Sequence, residues 1–470
     1  MLYFFAGITH EENNQDMVEG ACELMIMAIK VKKEAASFLS QIAESSETAY
    51  LILLSLYVAV FAMMEVGWKL SVEKPIDIIR GTMLGLIMWG CALYLIYVIA
   101  EWKKLWNRLP VLAVVAIVIL GLTFWFSRVM TTNRYGVVFD IYFCLMACGK
   151  NYKKILKCSG SVVLAIVIIA ALGIPLGYTL DVTKPDNIHP GHSIGIRYPN
   201  TWGFLCFFVL MIVWYLYLRR KAILTFVLFW GVAFFMIMVV YARTIAILAV
   251  FFPIVACFVD WLEAKADARV KSENSRSLSA ILCWIIIAIP FIMFAIMLAL
   301  SLNYEWVHAH FYYTWFHNMA MRFVVGGLFL RQYGFVWVGN AMRSNSLQFV
   351  RVNGEFIEVK ILDSSFVAYL IMRGILWVLG VLSWLSIAIW RALKKRDFAI
   401  PFLASIILVF AMMERPGLEM WYNFILIYPL AKVANKPGTP QILDFCQVKP
   451  IENPAVDELT SEANKDRKQD

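Results

Sequence analysis

The sequence predicts an all-α integral membrane protein with about 12 transmembrane helices and one large extracytoplasmic loop. Three observations predict it. Of 470 residues, 61% are hydrophobic and only 16% are charged, and the mean hydropathy is +0.71; a soluble domain is about half apolar and about a quarter charged. The apolar residues fall into stretches of about 20, the length a helix needs to cross a hydrocarbon core, where helices and closed barrels alone can satisfy their backbones. Lys and Arg gather in alternate connections, so the formal net charge of +9 records topology and not affinity for nucleic acid.

Residues 1–48 hold no full span and no signal peptide with a cleavage site. Glu23 and the "KVKK" at 30–33 interrupt their apolar run, which reads as a cytoplasmic, interfacial amphipathic segment. A polytopic domain follows over 49–433. Its expected spans are 49–68, 77–100, 109–128, 159–180, 200–218, 222–240, 244–262, 279–302 and 365–390, with weaker ones at 134–149, 398–414 and 417–433. With the N-terminus inside, the even connections read "EWKKLWNR", "KNYKKILK", "RRK", "EAKADARVKSENSR" and "RALKKRD", all cationic. The positive-inside rule then puts both termini in the cytoplasm and the loops at about 181–199 and 303–364 outside. The tail, 434–470, is rich in Pro, Lys, Asp and Glu and is expected to be disordered. No cysteine falls in an outward loop and no CxxC pattern exists, so neither disulfides nor a cysteine metal site is expected.

Polar chemistry collects on the outward side. The stretch "NIHPGHSIGIRYPNTWG", Asn187 to Gly203, joins two apolar segments yet carries His189, His192 and Arg197. Each histidine reads either as a base or substrate ligand, or as a partner for the loop's own backbone. Pro199 disfavours a helical residue before it, and Asn200 is expected to N-cap the span that follows. Arg243 stands at a tight turn, Arg322 and Arg331 in the large loop, and Arg415 beside Glu414 at another turn. A surface arginine can simply contact headgroups. Its planar fork can also hold phosphate, and several converging could hold a diphosphate. Asp363 at the mouth of the 365–390 span reads as an N-cap or as a base. The aromatic run "EWVHAHFYYTWFHN" reads as an interfacial helix or as a sugar-stacking surface.

Four stretches, in order, resemble the Wzy-type polysaccharide polymerases of the O-antigen polymerase and ligase superfamily. "GHSIGIRYPNTWGF" is similar to that family's outward loop leading into a span, and "YARTIAIL" to its arginine turn. "MRFVVGGLFLRQYGFVWVGN", followed by "LDSSFVAYLIMRGIL", is similar to its arginine helix and the entry to the next span. "MMERPGLEMWYNF" resembles its late "E…N" segment. The family's "DN" is here Asp363-Ser364, and its "HPN" is Tyr198-Pro199-Asn200. The resemblance implies a GT-C-like glycosyltransferase in the bacterial cytoplasmic membrane. It would join oligosaccharide repeat units carried on undecaprenyl diphosphate, with a flippase and a chain-length regulator as pathway partners. A diphosphate is already a good leaving group, so the chemistry calls for preorganised cations and a proton acceptor, with no metal and no other cofactor. Arg243, His192 and Asp363 are the expected catalytic residues, with Arg197, Arg322, His189, Asn200 and Arg415 binding substrate. A ligase of the same superfamily and a twelve-span lipid or polysaccharide transporter are the alternative readings.

Overall fold

The computed structural model describes residues 46–100, 134–181, 192–271, 280–311, 317–337, 348–352, 355–359, 364–414 and 418–433. Nearly all of the segment 1–48, the expected span 109–128 and the tail 434–470 lie outside the described residues. The chain divides into two compact units, Met1–Ile52 and Leu53–Asp470. Of the first, only the opening turns of a helix are described.

In chain order the elements are α1 (Ser46–Met64), α2 (Leu70–Ala100), α3 (Arg134–Met146), α4 (Tyr152–Gly173), α5 (Pro199–Leu218), α6 (Ala222–Val240), α7 (Arg243–Lys271), α8 (Ala280–Leu302), α9 (Tyr304–Phe311) and α10 (His317–Tyr333). An antiparallel hairpin follows, β1 (Gln348–Val352) and β2 (Glu355–Val359), then α11 (Ser365–Met372), α12 (Ile375–Lys394) and α13 (Ala399–Met413). Among the described residues seven helices are long and apolar enough to cross a membrane: α1, α4, α5, α6, α12, and the stretches Arg243–Lys265 of α7 and Leu282–Leu302 of α8. The α13 helix is apolar but shorter. The protein is therefore a mostly helical, multi-pass membrane protein.

Local chemistry sets the boundaries. Asn151 caps α4, its Oδ1 accepting from the amides of Lys153 (3.0 Å) and Lys154 (3.4 Å). Pro199 opens α5, and Tyr198 before it is extended (φ −133°, ψ 137°) as a pre-proline residue must be. Between α6 and α7 the chain reverses in two residues, Tyr241 in the left-handed region (φ 59°) and Ala242. Large aromatic side chains fill the middle of the bundle. Phe204 stacks on Phe410 with centroids 3.7 Å apart, and Phe252 lies among Phe207, Phe229, Trp214 and Phe402.

The structure differs from the sequence-based expectation in four places. The expected span 134–149 is a helix of 13 residues, short for a crossing. The expected span 365–390 is two helices, broken at Arg373-Gly374, where Gly374 adopts φ +86°. The amides of Ile375 and Leu376 at the start of α12 donate to the carbonyls of Val336 (3.0 Å) and Trp337 (3.3 Å), so residues from after α10 cap the broken end. The stretch 417–433 is not a span helix. Met420–Ala431 is buried throughout in turns and one 3₁₀ segment, Phe424–Ile427. Its carbonyls are met by side chains of α12 and the turn after it: Trp384 Nε1 to Leu426 O (2.7 Å), Arg391 to Tyr428 O (2.9 Å) and Pro429 O, and Lys395 Nζ to Val433 O (3.0 Å). Finally, Cys148, in the turn after α3, is disulfide-bonded, against the expectation of free thiols; Cys91, Cys144, Cys158, Cys206, Cys257 and Cys283 are free.

Charged connections sort to the two ends of the bundle. Arg219, after α5, reaches Glu263 of α7 and Asp397 before α13 (3.4 Å), and Asp260 lies 3.8 Å away. Tyr152 at the start of α4 meets Tyr215 and Tyr428 edge-on beside them. The cationic connections "KNYKKILK", "RRK" and "RALKKRD" thus meet at one end, called here the Arg219 end. The starts of α5 and α7 and the end of α13 lie at the other, the Asn200 end.

Candidate functional site

At the Asn200 end three side chains from three helices meet on one oxygen. Glu414 ends α13 in an extended conformation (φ −133°, ψ 145°), which turns its side chain back over the bundle. Its Oε1 accepts from Arg322 Nη2 of α10 at 2.7 Å and from Asn200 Nδ2 of α5 at 3.2 Å. The ion pair is largely buried, with side chains 13% and 15% exposed. Ser365 Oγ, at the start of α11, holds the Glu414 carbonyl at 2.5 Å. Asn200 is therefore not the N-cap of its helix. Tyr198 takes that position, and the Asn200 amide is spent on Glu414.

A second polar group continues from this one. One turn beyond Ser365 on α11, Tyr369 donates to Glu419 Oε1 (2.8 Å), and Trp421 Nε1 donates to Oε2 (2.9 Å). The phenol of Tyr57 donates to Asp140 Oδ1 at 2.5 Å, and the Met420 amide donates to the same oxygen at 3.2 Å. Arg373, at the break after α11, lies over the rings of Tyr369 (4.1 Å) and Trp377 (5.1 Å) and within electrostatic range of Asp140. Glu419 is thus held by a tyrosine and an indole, and Asp140 by a tyrosine and a backbone amide, with the Arg373 charge nearby.

The stretch that carries His192, between α4 and α5, is a separate construction. Asp181 Oδ2 takes a bond from His192 Nδ1 (2.6 Å) and Oδ1 one from the Ile194 amide (2.9 Å), and the Ser193 amide also bonds the carboxylate. Partial burial pushes the Asp181 carboxyl up, but the His192 bond and the Ile194 amide outweigh it and hold the group below the usual carboxylate range. The carboxylate is then ionised at neutral pH and can only accept, so Nδ1 carries the proton and Nε2 is the nitrogen left for proton exchange. The loop is fixed at Gly195 (φ +80°), where any Cβ would lie 2.1 Å from the Ala170 carbonyl oxygen; no other residue fits. The Gly67 amide donates to Gly195 O, the Arg197 amide to Glu65 O and the His192 amide to Val239 O. The last of these docks the loop on the turn that leads to Arg243.

The expected site residues accordingly separate. Asn200 and Arg322 come together on Glu414. His192 pairs with Asp181. Arg197 is half exposed, 3.8 Å from Glu73 of α2. Arg243 is exposed; its guanidinium bonds to the Tyr241 hydroxyl and lies over that ring (4.5 Å). His189, Asp363 and Arg415 lie outside the described residues. Sequence reasoning gave no role to Glu414, which it named only as Arg415's neighbour, and passed over Asp181 and Arg373. All three stand inside or beside the quoted motifs, but only the fold shows what they touch. Among the described residues no group of three or more His, Cys, Asp or Glu side chains is arranged to hold a metal ion. Comparison with known proteins adds nothing to this geometry: no protein family, no curated protein and no solved structure matches the chain.

Proposed function

We propose that this protein is a polysaccharide polymerase of the Wzy type, working on the outer face of the bacterial cytoplasmic membrane. It would have about 12 spans in a GT-C-like arrangement and both termini inside. One observation carries the reading. Asn200, Arg322 and Glu414 belong to three of the four stretches that resemble the family, and they converge on a single oxygen at the end opposite the cationic connections.

In the reaction a hydroxyl of a lipid-linked repeat unit attacks the anomeric carbon of the growing glycan. The new C–O bond forms as the bond to the diphosphate breaks, and undecaprenyl diphosphate leaves with the electron pair. Arg322 of α10 is largely buried, so its charge is poorly screened and suited to the developing phosphate charge. Arg243 and Arg197, both exposed, suit the approach of the diphosphate headgroup. His192, with Nδ1 engaged by ionised Asp181, offers Nε2 to the acceptor's proton. Flippase and chain-length regulator would act before and beside it.

The test is reconstitution of the purified chain in liposomes with undecaprenyl-diphosphate-linked repeat units. A ladder of glycan lengths with release of undecaprenyl diphosphate is expected. Arg322→Ala should lower the rate by about 10²–10³, and Arg322→Lys should recover little, because a point charge does not replace a planar fork. Transfer only to a separately added acceptor would establish a ligase instead, and passage of the lipid-linked unit across the bilayer without new glycosidic bonds would establish a transporter.

A further inference from the structure

Glu414 occupies the two donors best placed to hold a phosphate oxygen. Arg322 Nη2 (2.7 Å) and Asn200 Nδ2 (3.2 Å) come from different helices and aim at one point, now filled by Glu414 Oε1. Asn200 lies in the first turn of α5, so the positive end of that helix faces the same place. A carboxylate oxygen and a phosphate oxygen make the same demand on such a cradle. The two cannot occupy it together.

We propose that the Arg322–Glu414 pair is a latch, and that a diphosphate-bearing ligand binds by displacing the Glu414 carboxylate from the Arg322–Asn200 cradle. The inference rests on the site's taking a diphosphate and adds how that ligand gains access. The local build supports displacement. Glu414 sits past the last helical residue of α13 in extended backbone, so its side chain can swing away without unwinding a turn. Ser365 Oγ grips the Glu414 carbonyl (2.5 Å) and keeps the main chain in place while the carboxylate leaves. The field of Glu65 and Glu419 meets that of Glu414 at the buried Tyr422. Glu414 is thus one of three carboxylates near that phenol, and it is paired with a guanidinium, that of Arg322. A latch of this kind reduces apparent affinity by the fraction of molecules in which it is closed. It also keeps a buried arginine paired between turnovers, when an uncompensated charge would be costly.

The prediction reverses what a purely structural clasp would give. Glu414→Gln keeps the shape but removes the competing charge. Binding of inorganic pyrophosphate to the full-length, detergent-purified protein should then tighten by about tenfold, measured by calorimetry. Asn200→Asp places a second carboxylate beside the fork and should weaken binding by a similar factor. The same measurement with undecaprenyl diphosphate in lipid nanodiscs separates the sources of the anion. Tightening by Glu414→Gln in both arms means that the latch reads the diphosphate alone; tightening only in nanodiscs means that it also needs the lipid tail. Unchanged or weaker binding by Glu414→Gln in both arms overturns the latch. If that variant loses its monodisperse elution peak, the decision passes to Asn200→Asp, and unchanged affinity there overturns the latch as well. Should wild-type protein make no polymer and yet bind pyrophosphate more tightly as Glu414→Gln, the polymerase reading fails and the latch stands.

Discussion

Asp181 closes the His192 loop with hydrogen bonds from His192 and from the amides of Ile194 and Ser193, and its charge is what makes them strong. A carboxyl held below its ordinary range stabilises the fold at pH values above its unfolded value, about 3.9. That stability is lost as pH falls through the lower, folded value. The melting temperature of detergent-purified protein should exceed that of Asp181→Asn by about 1–2 °C above pH 5, a small gap because the group is partly exposed, and the two should converge toward pH 3. A gap that stays constant with pH would mean that shape, not charge, holds His192. The same residues show what the sequence reveals. His192 stands out because a histidine in a short polar loop invites explanation. Asp181 does not, because it lies eleven positions away at the edge of an apolar segment, and only the folded turn at Gly195 brings it back. Asn200 was legible as a residue that matters, but its expected capping role failed: the pre-proline position takes the cap, and the amide is left to serve Glu414.

At the scale of elements, the Arg219 end is a junction of α5, α7 and α13. One guanidinium answers three acids: Asp260, Glu263 and Asp397. Glu263 and Asp397 are almost wholly buried, and Tyr215 also donates to Asp397 at 2.7 Å. Arg219→Ala would leave both carboxylates buried without their cation, which costs about 3–5 kcal/mol. The expected outcome is loss of folded protein from the membrane fraction, with Arg219→Lys recovering part of it; normal yield and melting temperature for Arg219→Ala would show that water or Tyr215 suffices. Apolar length found the helices on either side of this junction without difficulty. It could not find the break at Gly374. Glycine is common inside membrane helices, and what makes this one a break is a pair of carbonyls, Val336 and Trp337, more than thirty positions earlier.

For the whole molecule, composition alone establishes a multi-pass helical membrane protein, and the alternation of cationic connections predicts an orientation. Reporter fusions test it: Arg219, Arg220 and Lys221 are expected on the cytoplasmic side and His192 on the other. A cytoplasmic signal at His192 would reverse the molecule and remove the site from the outer face. The convergence of Asn200, Arg322 and Glu414 was not legible from composition, because 122 positions separate Asn200 from Arg322 and no hydropathy pattern pairs helices.

The buried stretch Met420–Ala431 has a consequence for how the protein is made. A translocating chain can release a finished helix sideways into lipid, since the helix meets its own backbone needs. This stretch cannot leave that way. Among the described residues the carbonyls of Leu426, Tyr428 and Pro429 accept from Trp384 and Arg391 of α12, so the stretch depends on that helix for its backbone hydrogen bonds. The stretch is therefore held by docking against α12 and not by a helix's own ladder, and Glu419, at its head, is held by the Tyr369 hydroxyl of α11.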